Sequence, residues 1–232
     1  VIRKQELPFL TELCSRPDVF CVDLDQPFGQ LGCVIMASGL GKRFGGGKLL
    51  AQLEGKSLLE WTMDATEDIF RRRIVVTRHR EVEALCREGE VPALLHNLPF
   101  RSDTIRLGLE ALEKGAELLE ACVFCPADQP LLRKETLASL ALCAAGTKKG
   151  QEQPGIWRPA FGEKAGSPVL FPRRFFEELR ALPKGQGGSC VIRSHPEAVR
   201  LLQVRDPMEL AAVDTPEDLE SMKSWKSARQ QR

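Results

Sequence analysis

Between Met36 and Lys48 the chain reads Met-Ala-Ser-Gly-Leu-Gly-Lys-Arg-Phe-Gly-Gly-Gly-Lys. Five glycines fall within nine positions, at Gly39, Gly41, Gly45, Gly46 and Gly47, and Lys42, Arg43 and Lys48 are interleaved with them. Glycine lets the main chain take positive φ and bring its N–H groups against an anion, and the cations add charge. The chemistry such a segment suits is the holding of phosphate. It is not a P-loop, because Gly47 and Lys48 follow Gly46 where a Lys and a hydroxyl residue belong. It is not a dinucleotide fingerprint, because Phe44 occupies the last glycine position and no helical pattern begins before about Ser57. A second candidate is Asp128, set between Pro126 and Pro130 directly after an apolar run. A carboxylate there suits a hard cation such as Mg²⁺, which takes few carboxylates together with phosphate oxygens. An ordinary helix-capping Asp is the competing reading of the same residue.

These residues need a frame that brings them together. Gly32 to Met36 reads as a short buried strand leading into the glycine loop, and Cys122 to Cys125 as a central parallel strand leading into Asp128. Between them helix and strand alternate. Ser57 can cap a helix over Leu58 to Ala65, with Glu60 completing a capping box, and a strand follows over Arg73 to Thr77. A helix over Glu81 to Arg87, a strand at Ala93 to Leu95, a loop from His96 to Asp103 and a helix from Thr104 to Lys114 come next, with Gly115 to end it. The pattern predicts an α/β fold with a Rossmann-like doubly wound, mostly parallel sheet. In such sheets ligands bind beyond the carboxyl ends of the strands, where both motifs fall. Ser102 stands where it can cap the start of the helix that follows this loop.

Composition narrows the class. With 232 residues, 43% of them hydrophobic, one α/β domain has enough material for a sizeable core. The net charge of +1 argues against a general nucleic-acid binder. No apolar run approaches the roughly 18 residues of a membrane span, so the expectation is a soluble, cytoplasmic protein. Eight cysteines are scattered through apolar segments and are expected to be reduced and mostly buried; Cys122 and Cys125 in one strand would point to opposite faces. His79, His96 and His195 are expected at the surface. Residues 1–31 lack the pattern of a signal peptide and are set aside as an extension of unknown role.

Met36 to Lys48 resembles the nucleotidyltransferase signature Leu-Ala-Ala-Gly-x-Ser/Gly-x-Arg-Met-Gly-x-x-Lys, with conservative changes at Met36, Ser38 and Phe44. Ala127-Asp128-Gln129-Pro130-Leu131 is similar to that family's Asp-Gln/Met-Pro-Leu element. Gly166 to Phe171, leading into a helix through Phe175 to Leu179, and Val213-Asp214-Thr215-Pro216-Glu217-Asp218-Leu219 continue the resemblance in order. It covers about residues 32–222, and within the family the pattern is most similar to the molybdenum cofactor cytidylyltransferase branch of the MobA/MocA-like NTP transferases. Ala212 and Gln186 stand where many relatives carry Asp, which bears on the substrate rather than the reaction type.

The resemblance implies a fold of the nucleotide-diphospho-sugar transferase type, with an extension at 1–31, a nucleotidyltransferase domain at 32–226 and a tail at 227–232. It implies transfer of CMP from CTP to the phosphate of a pterin cofactor, with release of pyrophosphate. Arg43, Lys48 and Asp128 would be catalytic. Ala37, Ser38, Gly39, Leu40, Gly41, Lys42, Arg43, Lys48, Ser102 and Arg106 would bind the nucleotide. Asp128 and Asp214 would hold Mg²⁺, with Mn²⁺ as the alternative, although Asp214 also sits where a helix start needs acidic residues. The implied partners are CTP or GTP, a phosphorylated pterin acceptor and a molybdenum hydroxylase receiving the product, with no nucleic acid and no membrane. Guanylyl transfer to the pterin, nucleotide-sugar synthesis and a non-catalytic cofactor chaperone are the alternatives.

Overall fold

The computed structural model describes residues 30–115, 118–145 and 154–230. Residues 1–29 of the expected extension and residues 231 and 232 of the expected tail lie outside the described residues.

The chain enters at β1 (Leu31–Ala37), passes through the glycine loop to the short hairpin β2 (Gln52–Leu53) and β3 (Lys56–Ser57), and turns into α1 (Leu58–Thr66). The expected capping box is present: Ser57 Oγ accepts from Glu60 N–H at 3.2 Å, and Glu60 accepts from Ser57 N–H at 2.6 Å. Then follow β4 (Arg72–Thr77), α2 (Arg80–Glu88), β5 (Ala93–Leu95), α3 (Arg101–Glu113), β6 (Ala121–Pro126) and α4 (Lys134–Ala145). The remaining strands are β7 (Ile156–Phe161), β8 (Lys164–Ala165), β9 (Val169–Pro172) and β10 (Val199–Gln203), with α5 (Phe176–Arg180), α6 (Ser189–Ser194) and α7 (Pro216–Gln230).

The main sheet has the order β10-β7-β9-β6-β1-β4-β5, with β8 pairing to β7. β1 lies inside it, third from the β5 edge, parallel to β4 on one side and to β6 on the other. β9 runs antiparallel to both β6 and β7. β6 is therefore parallel to one neighbour and antiparallel to the other.

Strand alternation divides the core in two. Cys33, Ile35 and Ala37 of β1 and Val123 and Cys125 of β6 face α1, α2 and α4. Val34, Cys122 and Phe124 face α3, α5 and α6. The opposite-face expectation for Cys122 and Cys125 holds, and burial pushes the Cys125 thiol up to about 12. The six described cysteines are free thiols, and Cys143 and Cys190 among them are only half-buried. On the α3 side, a Cβ added at Gly108 would come within 2.6 Å of the Val34 side chain. That glycine lets α3 lie close against β1, which brings its first turn to the carboxyl end of the sheet.

One boundary differs from the sequence reading. α3 starts at Arg101 rather than Thr104, which shortens the preceding loop. Asp103 Oδ2 accepts from Phe100 N–H at 3.0 Å and supplies the cap expected of Ser102. Ser102 is thereby placed inside the first turn.

Candidate active site

The glycine loop is a run of tight turns. Gly41, Gly45, Gly46 and Gly47 have φ of 58°, 90°, 98° and 61°, values that side-chain-bearing residues rarely adopt. Two single 3-10 turns, Lys42–Phe44 and Lys48–Leu50, are separated by Gly45, Gly46 and Gly47, and Phe44 and Gly46 both donate to Gly41 O, at 2.9 and 3.2 Å. The root of the loop is fastened to the end of β4. Thr77 Oγ1 donates to Ala37 O at 3.0 Å, and Arg78 donates to Ser38 O from Nε at 3.0 Å and from Nη2 at 2.9 Å. His79 Nε2 lies 2.9 Å from Gly39 O.

Lys48, at the far end of the loop, reaches across to the end of β6. Its Nζ is 2.6 Å from Asp128 Oδ2 and 3.5 Å from Asp214 Oδ1, so one ammonium lies between two carboxylates. Arg43 Nη2 pairs with the other side of Asp214 at 2.9 Å. Lys48 is well covered, with 11% of its side chain exposed, whereas Arg43 is 71% exposed and its pair with Asp214 adds little stability. Asp214 is held in place through the main chain. Val213 N–H donates to Asp128 O at 2.9 Å, and Asp218 Oδ2 accepts from Asp214 N–H at 2.9 Å and Thr215 N–H at 2.8 Å. Those amide bonds hold the Asp218 carboxyl below its ordinary value. The same residues form a capping box, since Thr215 Oγ1 accepts from Asp218 N–H at 3.2 Å.

A cavity of about 180 Å³ opens beside this cluster. Its lining includes Lys48, Asp128 and Pro126 as well as Ser38, Gly39, Arg78, Phe100, Arg101 and Thr104. Thr104 is buried, and its Oγ1 has no hydrogen-bond partner among the described residues. A hydroxyl left unpaired in a cavity wall is costly unless something entering the cavity binds it.

Of the nucleotide-binding candidates, Ser38, Gly39 and Lys48 line the cavity. Ala37 is buried and takes part through its carbonyl, while Leu40, at 51% exposure, Gly41 and Lys42 sit on the outer loop. Ser102 is buried and does not line the cavity, and Arg106 is engaged by Glu110 at 3.1 Å on the side of α3. From α3, Arg101 and Thr104 line the cavity instead. The three histidines are only partly exposed. His96 Nε2 lies 2.9 Å from Ser38 Oγ, and burial, followed by the nearby Arg78 guanidinium, holds the imidazole below its ordinary value. Arg78 and His96 carry no motif in the chain; only strand order brings them to the glycine loop.

No group of three or more His, Cys, Asp or Glu side chains able to hold a metal ion occurs among the described residues. Two carboxylates flanking a cation position fit Mg²⁺ or Mn²⁺ only where substrate phosphate oxygens complete the shell, which is how Mg²⁺ is commonly held.

Comparison with known proteins finds relatives in sequence and in fold. A protein from Bacillus licheniformis named "Probable molybdenum cofactor guanylyltransferase" is 32% identical over 107 residues, 46% of this chain and 53% of that protein. One of the same name from Aquifex aeolicus is 31% identical over 106 residues, 45% of this chain and 49% of that protein. The chain thus spans about half the length of the curated relatives it matches. Among solved structures, Rv0371c from Mycobacterium tuberculosis superposes with a TM-score of 0.72 at 22% identity, covering 84% of this chain and 98% of that one. A complex of that mycobacterial protein with manganese superposes with a TM-score of 0.68 at 21% identity, covering 84% and 98%. These structural likenesses establish the fold. The model of the MobA-like NTP transferase domain matches residues 33–199, from β1 through the glycine loop and Asp128 to the start of β10, and the chain belongs to that family of nucleotidyltransferases.

Proposed function

We propose that this nucleotidyltransferase moves CMP from CTP to the phosphate of molybdopterin or its molybdenum-loaded form, releasing pyrophosphate. The observation that carries the reaction type is Lys48 Nζ, 2.6 Å from Asp128 at the edge of a cavity bounded by the glycine loop. In the reaction an acceptor phosphate oxygen forms a bond to the α-phosphorus of CTP while the bond to the pyrophosphate oxygen breaks. Both reactants are polyanions, so catalysis consists of positioning and charge neutralisation. Loop amides and Arg43 hold the triphosphate, and Lys48 leaves its carboxylate partners to meet charge developing at the α-phosphate. A divalent ion held by Asp128 and Asp214 would supply further neutralisation between donor and acceptor. No general base is required, because a phosphate monoester is largely ionised at neutral pH.

The choice of CTP rests on Ser38, whose side chain occupies cavity space that a glycine would leave open and so favours the smaller base. One hydroxymethyl group supplies about 1–3 kcal/mol of discrimination. Guanylyl transfer is the second reading, favoured by the printed names of the two curated relatives. The deciding experiment measures pyrophosphate release from CTP, GTP, ATP and UTP, with and without purified molybdopterin. The expected result is acceptor-dependent release from CTP. Release from GTP alone replaces CTP with GTP, and nucleotide binding without release from any triphosphate leaves a cofactor-binding chaperone.

A further inference from the structure

The Ser38 hydroxyl is held on two sides. Its Oγ lies 3.0 Å from Val76 O and 2.9 Å from His96 Nε2. His96 Nδ1 accepts from Leu98 N–H at 3.2 Å, so this nitrogen carries no proton, and the hydrogen-bond network assigns the neutral ring with its proton on Nε2. Nε2–H therefore donates to Ser38 Oγ, and the Ser38 hydroxyl proton is directed to Val76 O. One lone pair is left. Ser38 lines the cavity, and a group there that meets this oxygen finds an acceptor only. Burial and Arg78 disfavour the imidazolium, which keeps the arrangement in place near neutral pH.

Resting on the cytidylyl reading above, we infer that Ser38 Oγ, fixed as a pure acceptor by His96 and Val76, reads the exocyclic amino group of cytosine and rejects the carbonyl of uracil at the same position. The triphosphate is claimed by Lys48 and the glycine loop, so the base is assigned to the wall that Ser38, Phe100 and Thr104 form together with Arg78 and Arg101. An amino group donates into the free lone pair. A carbonyl would face it lone pair to lone pair, and a site built for one partner rejects the other strongly. His96 is a positioning residue: without its N–H the serine hydroxyl is free to swing and donate into the cavity.

The test measures equilibrium affinity for CTP, UTP and the 4-deamino analogue of CTP, with Mg²⁺ present, on wild type, Ser38→Ala, His96→Phe and His96→Gln. Wild type is expected to prefer CTP to both other nucleotides by tenfold or more, about 1.4 kcal/mol. Ser38→Ala and His96→Phe are expected to cut that ratio at least about fivefold, and His96→Gln, which keeps an N–H donor, to retain more of it than His96→Phe. The ratio cancels a general loss of binding, and the analogue comparison on wild type needs no variant to fold. Equal wild-type affinity for the three nucleotides, or an undiminished ratio in both Ser38→Ala and His96→Phe, overturns the inference. Binding of GTP without CTP overturns it together with the cytidylyl reading. Selective CTP binding without transfer supports the inference and sinks only the catalytic reading.

Discussion

Lys48 holds the site closed on itself. Its ammonium is shared by two carboxylates, and the same three groups must open toward phosphate when a nucleotide arrives. In the proposed reaction Lys48 is the cation that meets the reacting phosphate, so Lys48→Ala is expected to lower kcat by about 10²–10³, the scale of losing one preorganised charge-stabilising donor. Steady-state pyrophosphate release and a thermal melt of the variant check this, and loss of activity through unfolding would contradict it. His96 makes a different kind of prediction. Its folded-state value is lowered, so the unfolded chain binds a proton that the folded chain refuses. Stability therefore falls as pH drops below the unfolded value of about 6.5 toward the folded one, and rises again as pH is raised. Chemical denaturation of wild type between pH 5 and 7.5 should show this slope, and His96→Gln should flatten it.

At the scale of elements, each functional side chain depends on a helix start or strand end. Asp218 both caps α7 and orients Asp214 by accepting its N–H at 2.9 Å. Asp218→Ala should cost about 0.5–2 kcal/mol in urea denaturation, the worth of an N-terminal capping group. It should also raise the concentration of divalent ion needed for half-maximal activity, because Asp214 loses the bond that fixes it. Helix destabilisation with an unchanged metal requirement would separate Asp214 from the metal. The elements were largely legible in advance. The Ser57 and Glu60 box, the apolar runs of β1 and β6 and the glycine punctuation are local signals, read from backbone preference and alternation. The start of α3 was misread because both Ser102 and Asp103 can cap, and only the docking of α3 on Val34 through Gly108 selects between them.

For the whole molecule, the two layers of core on either side of the sheet bring the carboxyl ends of β1, β4 and β6 to one edge, and the loops there meet over the cavity. A ligand that binds only this assembled edge must stabilise the entire fold. CTP at a hundred times its Kd, with Mg²⁺, is expected to add about 2.7 kcal/mol, or roughly 5–10 °C in Tm for a chain of this size. Chelation with EDTA should remove most of that increment while leaving the melting temperature of the free protein unchanged. An increment insensitive to EDTA would show that the triphosphate is held by the loop and its cations alone.

The chain by itself marked a candidate phosphate loop and determined the kind of sheet that carries it, because glycine spacing, strand alternation and capping residues act within a few positions of one another. Tertiary structure decided which side chains meet. Lys48 and Asp128 are 80 residues apart, Lys48 and Asp214 166, and Ser38 and His96 58. Such contacts follow from strand order and helix docking, which depend on the packing of all the layers together, and no local preference encodes them.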